Sequence, residues 1–580
     1  MTDGGHLVKM WLILVVLALA TSLDTILLKQ FPDPDDVLRL IQVRDLLNGQ
    51  AWYDLQQYRI DPIGNEPMHW SRLVDLPLAA IILAFRPLLG AAGAEMVALI
   101  MVPLLTLLVA VLFIGHIASQ RFDREIAGWT VLAAGLLPLL LYQFGPLRVD
   151  HHGWQIACFA GCAWGIARSK PALSGMAMGI GLIISIEMLP LAALVGAILA
   201  LRWLRDPARG EGLAAYLQAL AVMLIALFFA TRPLAGSLAY CDVITPAHLG
   251  FFATVALGAT GLRMLGPSSA IALTLGLGAS GMAGLALFGW AAPQCLGTPF
   301  GSLDPLVHDM WYMAVSEGRP VWEQRLVIIP ILLQLSLALG ISVHLLAKAP
   351  SDQRGWWLEF VMLFAGSFAL GLLVTRSLAF ASLLATLPLG WLIDQILQRL
   401  RIATGLSRKI GIGVAAIAVL LPTAPVALAQ TVMPSESAQN ASSQLEKSSC
   451  ELQTSVDQLA LLPAGTIFAP LDIGPAILLN SDHTVVATGH HRAEAAMRDV
   501  IAAFLAPEDQ ARAIIADNGA DYLVLCSDLF EPANYQLKGG PESLAAQLVD
   551  ANAPAWLEPI SVDAPETFKV WRVRPQLKPE

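Results

Sequence analysis

The strongest constraint in this sequence is a series of long apolar windows separated by short charged loops. A window of about 17–25 apolar residues can cross the hydrocarbon of a bilayer as a helix. Such windows occur near residues 10–28, 95–118, 127–145, 153–168, 171–186, 187–204, 213–231, 247–264, 269–290, 326–347, 357–374, 377–398 and 409–428. Composition agrees: 56% of the 580 residues are hydrophobic and 14% are charged, against roughly 25% charged in a soluble domain. The expected fold class is an α-helical polytopic membrane protein of about 13 transmembrane helices. The formal net charge of −10 argues against nucleic acid as a partner. Lys9 precedes the first window and no small-residue cleavage site follows it, which reads as an uncleaved anchor.

One further apolar stretch, Leu76–Leu89, is interrupted by Arg86 and Pro87. Whether it spans sets the parity of everything after it. If it lies in the membrane interface, the loops on one side carry Arg121 and Arg124, Arg168 and Lys170, Arg202, Arg205 and Arg209, Arg263, Lys348 and Arg354, and Arg399, Arg401, Arg408 and Lys409. That series obeys the positive-inside rule, and the opposite parity violates it. The expected topology has a cytoplasmic N-terminus and an external C-terminus, in a bacterial inner (cytoplasmic) membrane.

On this topology residues 1–429 form a transmembrane domain, and its first external loop covers 29–94. Further external pieces are 146–152, 232–246 and 291–325. Residues 430–449 are Ser/Gln-rich and read as a linker. Residues 450–580 mix strand-like runs (Thr466–Ala469, Tyr522–Leu525) with helical patterns (Ala493–Leu505, Pro507–Asp517). They read as a soluble periplasmic α/β domain of ordinary size. Cys158 and Cys162 sit in an apolar span as packing residues. Cys241 and Cys295 share the external side, as do Cys450 and Cys526, so an oxidising compartment permits two disulfides.

Several constellations gather on the external side. Asp33-Pro34-Asp35-Asp36 crowds three carboxylates at the mouth of the first span. Carboxylates at alternate positions suit a hard divalent cation such as Mg²⁺ or Mn²⁺. Helix capping also explains them, because Leu38–Arg44 looks helical. Arg148-Val149-Asp150-His151-His152-Gly153-Trp154 offers two ligands of mixed type near a membrane face, or an interfacial polar cap with a Trp anchor. Ser316-Glu317 lies in a long loop. Arg376 ends a span, as a functional ion or a snorkelling one. In the soluble domain Asp472 follows a strand within Pro470–Gly474, a pattern that usually marks a turn. His490-His491-Arg492 suits an anionic head group or an ordinary surface patch.

The order of these pieces resembles the GT-C glycosyltransferase fold, and within it the catalytic subunit of oligosaccharyltransferases of the archaeal and bacterial single-chain type. Asp33-Pro34-Asp35 resembles that family's first acidic motif, Asp150-His151-His152 its second, and Ala314-Val315-Ser316-Glu317 its Ser-Val-Ser-Glu motif. Arg376 followed by Phe380 is similar to its acceptor-site Arg motif. The resemblance implies a divalent metal held by Asp35, Asp150, His152 and Glu317, of which Asp35, Asp150 and Glu317 are catalytic. It implies substrate contacts from Asp33, Arg148, Arg376 and Asp472. One departure stands out. Pro470-Leu471-Asp472-Ile473-Gly474 keeps the Asp and Gly of the family's Trp-Trp-Asp-Tyr-Gly motif but lacks both tryptophans and the tyrosine. That motif reads the hydroxyl residue of an Asn-x-Ser/Thr acceptor.

The implied reaction moves a sugar or glycan from a polyprenyl-(pyro)phosphate carrier to an external protein or glycan acceptor. Arg59, Arg72 and Arg148 are candidates to pair with the phosphate. A second reading within the fold is transfer of a single sugar from polyprenyl phosphate to a lipid or polysaccharide. A transporter reading predicts ionisable residues within spans. Here Glu187, beside Met188 and Pro190, is nearly alone, and no internal repeat is visible. A non-catalytic membrane scaffold makes the shared sidedness of the acidic motifs a coincidence.

Overall fold

A computed structural model of the chain describes residues 4–64, 66–233, 240–266, 269–297, 303–324, 328–422 and 448–574. Most of the expected 430–449 linker therefore lies outside the described residues. The chain divides into two compact units, one of Met1–Asp24, Trp70–Gly301 and Ser316–Val432, the other of Thr25–His69, Ser302–Val315 and Met433–Glu580.

The first unit is a helical membrane body. Among the described residues nine helices are long and apolar enough to cross a membrane. The other expected windows form shorter pieces. His152–Ala167 has 16 residues, Pro171–Ile184 has 14 and Leu406–Leu420 has 15. The window 127–145 breaks into Arg124–Ala133, a 3₁₀ turn Ala134–Leu136, and Pro138–Tyr142. Pro138 causes the break, because a residue before proline is pushed out of helical conformation, and Leu137 sits at φ −115°, ψ 91°. The carbonyl of Leu136 freed there accepts a hydrogen bond from Gln334 Nε2 at 3.0 Å.

Leu76–Leu89 lies in the first segment, 72–89, of a helical stretch Arg72–Arg121 that kinks at Gly90. Pro87 removes one backbone donor without ending the helix. The helical path is interrupted instead at Gly90 (φ 70°, ψ −179°), where positive φ suits a residue without Cβ. Cys241 and Cys295 form a disulfide in this unit, and Cys158 and Cys162 are free thiols within His152–Ala167.

The second unit is built on a five-stranded sheet of order β2-β1-β3-β5-β4. The strands are β1 (Thr466–Phe468), β2 (Thr484–Val485), β3 (Tyr522–Cys526), β4 (Leu557–Ile560) and β5 (Phe568–Val573). β1 pairs parallel with β2 and β3, and β5 pairs antiparallel with β3 and β4. Helices Glu494–Leu505 and Glu508–Asp517 carry apolar faces into its core around Phe468, Met497, Phe504 and Leu523. Cys450 and Cys526 are disulfide-bonded.

The first loop belongs to this unit through its stretch Thr25–His69. Ile60 bridges Val485 in parallel, with Val485 N donating to Arg59 O at 2.9 Å and Asp61 N donating to Val485 O at 3.1 Å. The Arg59 guanidinium donates to the carbonyls of Leu478 and Ser481, each at 2.8 Å, and Arg44 donates to Leu479 O at 2.9 Å. These carbonyls close the helix Gly474–Asn480. Two cations there satisfy its orphan acceptors and oppose the negative end of its dipole.

Candidate functional site

In the membrane unit the site grows from two helix ends. Residues 145–151 form a tight turn ahead of the helix His152–Ala167. Gly153 is needed there, because a Cβ at that position would stand 2.8 Å from the Gln143 carbonyl. The turn is closed by Asp150, whose Oδ1 accepts the His152 N–H at 2.9 Å. Its Oδ2 pairs with Arg148 Nη2 at 3.0 Å and stands 3.7 Å from His152 Nε2. Asp150 is 3% exposed and His152 8%. Burial pushes the Asp150 carboxyl up, but Arg148, His152 and His151 outweigh it and hold the group well below the usual carboxylate range.

The second edge comes from Ser316–Gly318, a 3₁₀ turn, and Thr375–Ser377, another. Thr375 fastens them together, donating to the Arg319 carbonyl from its N–H at 3.1 Å and its hydroxyl at 2.7 Å. Glu317 Oε1 is thereby 3.4 Å from Arg376 Nη1 and 3.9 Å from His152 Nε2. Arg376 Nη2 makes a very short ion pair with Glu187 Oε1. Asp150, His152, Glu317 and Arg376, read as separate motifs in the sequence, form one cluster with Arg148.

Asp150 Oδ2, His152 Nε2 and Glu317 Oε1 suit a divalent cation chemically, as two carboxylates and an imidazole. Around an ion with bonds of about 2.1 Å, neighbouring donors stand about 3.0 Å apart and opposite ones about 4.2 Å. The separations of 3.7 and 3.9 Å from His152 Nε2 lie in that interval. Asp150, His151 and His152 also place donor atoms within 4.8 Å of one another. Asp150 and His152 fit such an ion as they stand, whereas Glu317 lies outside their group and reaches it only through side-chain movement.

The second unit holds the other predicted residues. Asp33 caps the helix Pro34–Leu47, its Oδ1 accepting the Asp35 N–H at 3.0 Å. Capping and an acidic motif thus coexist at the same residues. Asp36 is fully buried. Asp472 sits in a turn pinned by Glu531, whose carboxylate accepts the N–H of Leu471 at 2.8 Å and of Asp472 at 2.9 Å. The Tyr535 hydroxyl also donates to Glu531 through a very short bond. Asp472 reaches solvent on one side, yet the surrounding protein and then Asp33 push its carboxyl up to about 6. Burial and then Asp472 push Glu531 up to about 8.

The other candidate cations have partners of their own. Arg59 grips the soluble domain as described, and Arg72 pairs with Asp75 at 3.3 Å. Arg492 donates to Pro67 O at 3.0 Å, and the His491 ring lies 4.5 Å from that of His69. The residues missed from sequence are Gln155, Glu531 and Tyr535, together with the role of Glu187. The i, i+3 spacing of His152 and Gln155 on one helix was the visible signal.

No protein-family profile matches this chain, and no curated protein does. Solved structures do. The archaeal oligosaccharyltransferase AglB from Archaeoglobus fulgidus, in complex with an inhibitory peptide and a dolichol-phosphate, is similar with a TM-score of 0.65 at 12% identity. That match covers 98% of this chain and 76% of that one. The same organism's enzyme tethered to an acceptor peptide containing the NVT sequon gives 0.61 at 12% identity, over 98% and 76%. Its complex with Zn and sulfate gives 0.58 at 11%, over 97% and 75%. The chain therefore shares the fold of these Archaeoglobus fulgidus structures along nearly its whole length. Identity this low establishes the fold alone.

Proposed function

We propose that the chain is a membrane glycosyltransferase that moves a sugar or oligosaccharide from a polyprenyl-(pyro)phosphate carrier to an acceptor outside the cytoplasm. The observation that carries this reading is the convergence of Asp150, His152 and Glu317 with Arg148 and Arg376 at the ends of membrane helices. Asp150, His152 and Glu317 would hold a divalent cation such as Mg²⁺ or Mn²⁺. A cation held there supplies electrostatic neutralisation of phosphate oxygens. Structures of the A. fulgidus enzyme hold zinc and sulfate, a dolichol-phosphate with an inhibitory peptide, or a tethered acceptor peptide, which supports a lipid-linked donor here. Asp35 is assigned as a further ligand on its motif.

The side chains supply the rest. Arg148 and Arg376 are planar cations suited to orienting a phosphate or a carboxyl-bearing substrate. Glu317, about one-third exposed, is placed to orient the acceptor and take its proton as the bond to the sugar forms. The sugar-to-phosphate bond breaks and the carrier leaves as its phosphate. Asp33 and Asp472 are assigned to substrate contact in the second unit.

The test is transfer of radiolabelled sugar from lipid-linked donors in membranes carrying the wild-type chain, Asp35→Ala or Asp150→Ala. Loss of transfer in both variants is expected, and full transfer in both overturns the reading.

A second reading, single-sugar transfer to a lipid or polysaccharide, is favoured by the acceptor-side turn. Leu471 and Ile473 replace aromatics there, and Glu531 crowds Asp472. Label recovered in glycolipid and none in protein supports this reading. Label on asparagine excludes it.

A further inference from the structure

Glu187 and Gln155 have no place in the assignments above, yet they lie directly behind the candidate metal ligands. Glu187 sits where the chain breaks between Pro171–Ile184 and Leu189–Arg205, in the 3₁₀ turn Ile186–Met188. Ser185 Oγ accepts the Glu187 N–H at 3.4 Å and starts that turn. Pro190, the second residue of the next helix, suits the resumption of helix there. The break carries the carboxylate to the cluster.

Gln155 is 1% exposed and one helical turn from His152. Its Nε2 lies 3.3 Å from Glu187 Oε2, and its Oε1 lies 3.0 Å from His152 Nδ1. This orientation of the amide is dictated by chemistry. The reversed amide would set an oxygen against the Glu187 carboxylate, two acceptors with no proton between them. Gln155 therefore donates to Glu187 and presents an acceptor to the imidazole. An acceptor facing Nδ1 requires the proton on Nδ1. In the neutral ring, the form that binds a metal, the lone pair of His152 is then on Nε2, the atom that faces Asp150 and Glu317. Histidine ligands to metals are commonly oriented through their second nitrogen in this way.

We propose that Glu187 and Gln155 are positioning residues forming a hydrogen-bond relay that fixes His152 as the Nδ1–H tautomer and aims its Nε2 at a divalent cation. The proposal rests on the metal reading above. Glu187 is doubly anchored, because its other oxygen holds Arg376. The relay thus ties the ligand side of the cluster to the arginine that faces Glu317.

The test is Mn²⁺ binding by the detergent-purified full chain, read by electron paramagnetic resonance as loss of free-ion signal. Five variants are compared with wild type: Asp150→Ala, Gln155→Leu, Glu187→Ala, Glu187→Gln and the Gln155→Leu/Glu187→Ala double variant. Gln155→Leu keeps side-chain volume nearly unchanged. A relay predicts that each single variant weakens Mn²⁺ by about 10- to 100-fold, and that the double variant is no worse than the poorer single. Glu187→Gln, which keeps an acceptor for Gln155, stays within about threefold of wild type, consistent with its conserved hydrogen bond. Wild-type affinity in both Gln155→Leu and Glu187→Ala, or full additivity in the double variant, overturns the relay alone. Equal binding by wild type and Asp150→Ala overturns the metal reading and the relay with it.

Discussion

Two clusters of carboxylates, one in each unit, have opposite characters. In the membrane unit Asp150, Glu187 and Glu317 are met by Arg148, Arg376 and His152. In the second unit Asp472 is raised by its protein surroundings and by Asp33, and Glu531 by its surroundings and by Asp472. Hydrogen bonds from backbone N–H groups and Tyr535 oppose the rise at Glu531 without cancelling it. Cations beside Asp150 thus hold its carboxyl below the ordinary range, while burial and neighbouring carboxylates raise Asp472 and Glu531 above it. The difference lies in whether cations or carboxylates fill the neighbouring positions. The first cluster suits a metal or phosphate; the second suits a neutral hydrogen-bonding acceptor.

The largest effect expected is at Asp150. Asp150→Ala removes the carboxylate paired with buried Arg148, and removing one partner of a buried pair costs about 3–5 kcal/mol. Denaturation of the purified chain should show that loss, and Mn²⁺ affinity should fall at least about 100-fold, because a proposed ligand itself is lost. Intact stability would break the contrast at its charged end. Arg376→Ala comes next. It leaves Glu187 and Glu317 facing His152 without their guanidinium, and sugar transfer should fall by about 10²-fold or more if that cation orients the substrate. Unchanged transfer would remove Arg376 from the site.

Arg59→Ala tests the second unit without touching its carboxylates. Losing charged hydrogen bonds to the Leu478 and Ser481 carbonyls should cost about 2 kcal/mol. Faster amide exchange at Ile60 and Val485 would report it. A pH titration separates the clusters by sign. Glu531 has a folded pKa raised to about 8, so its stabilisation is fully present below its unfolded value, about 4.3, and is lost as pH rises through 8. Asp150 is depressed, so its contribution is present above about 3.9 and disappears as pH falls further. Melting of the second unit should therefore weaken from pH 5 to 9, and Glu531→Gln should flatten that slope. A slope unchanged by Glu531→Gln would erase the distinction.

Much of the membrane body was legible because a bilayer demands long apolar helices. The kink at Gly90 falls at the end of the stretch Leu76–Leu89 that the sequence sets apart from the 95–118 window. Asp150, His152, Glu317 and Arg376 stood out in the sequence as polar residues of short motifs in loops and at span ends. Glu187 looked isolated because its partner Arg376 is 189 residues away. Gln155 carries no charge and so left no ionic trace. Glu531 is in the first turn of the helix Phe530–Gly539, and only the folded turn at Leu471 and Asp472 shows what it holds. The grip of Arg44 and Arg59 on the soluble domain uses backbone carbonyls, which have no signature in sequence.

That grip also bears on biogenesis. Arg59 and its partner carbonyl at Ser481 are separated by 422 residues. At ribosomal speeds of about 5–20 residues per second, the interval between their emergence is on the order of 20–80 seconds. Through that time the nascent first loop waits without the sheet edge it joins, while the membrane helices between are threaded one after another. A stop codon ahead of β1 would leave the loop permanently orphaned, and quality-control proteases would meet it first.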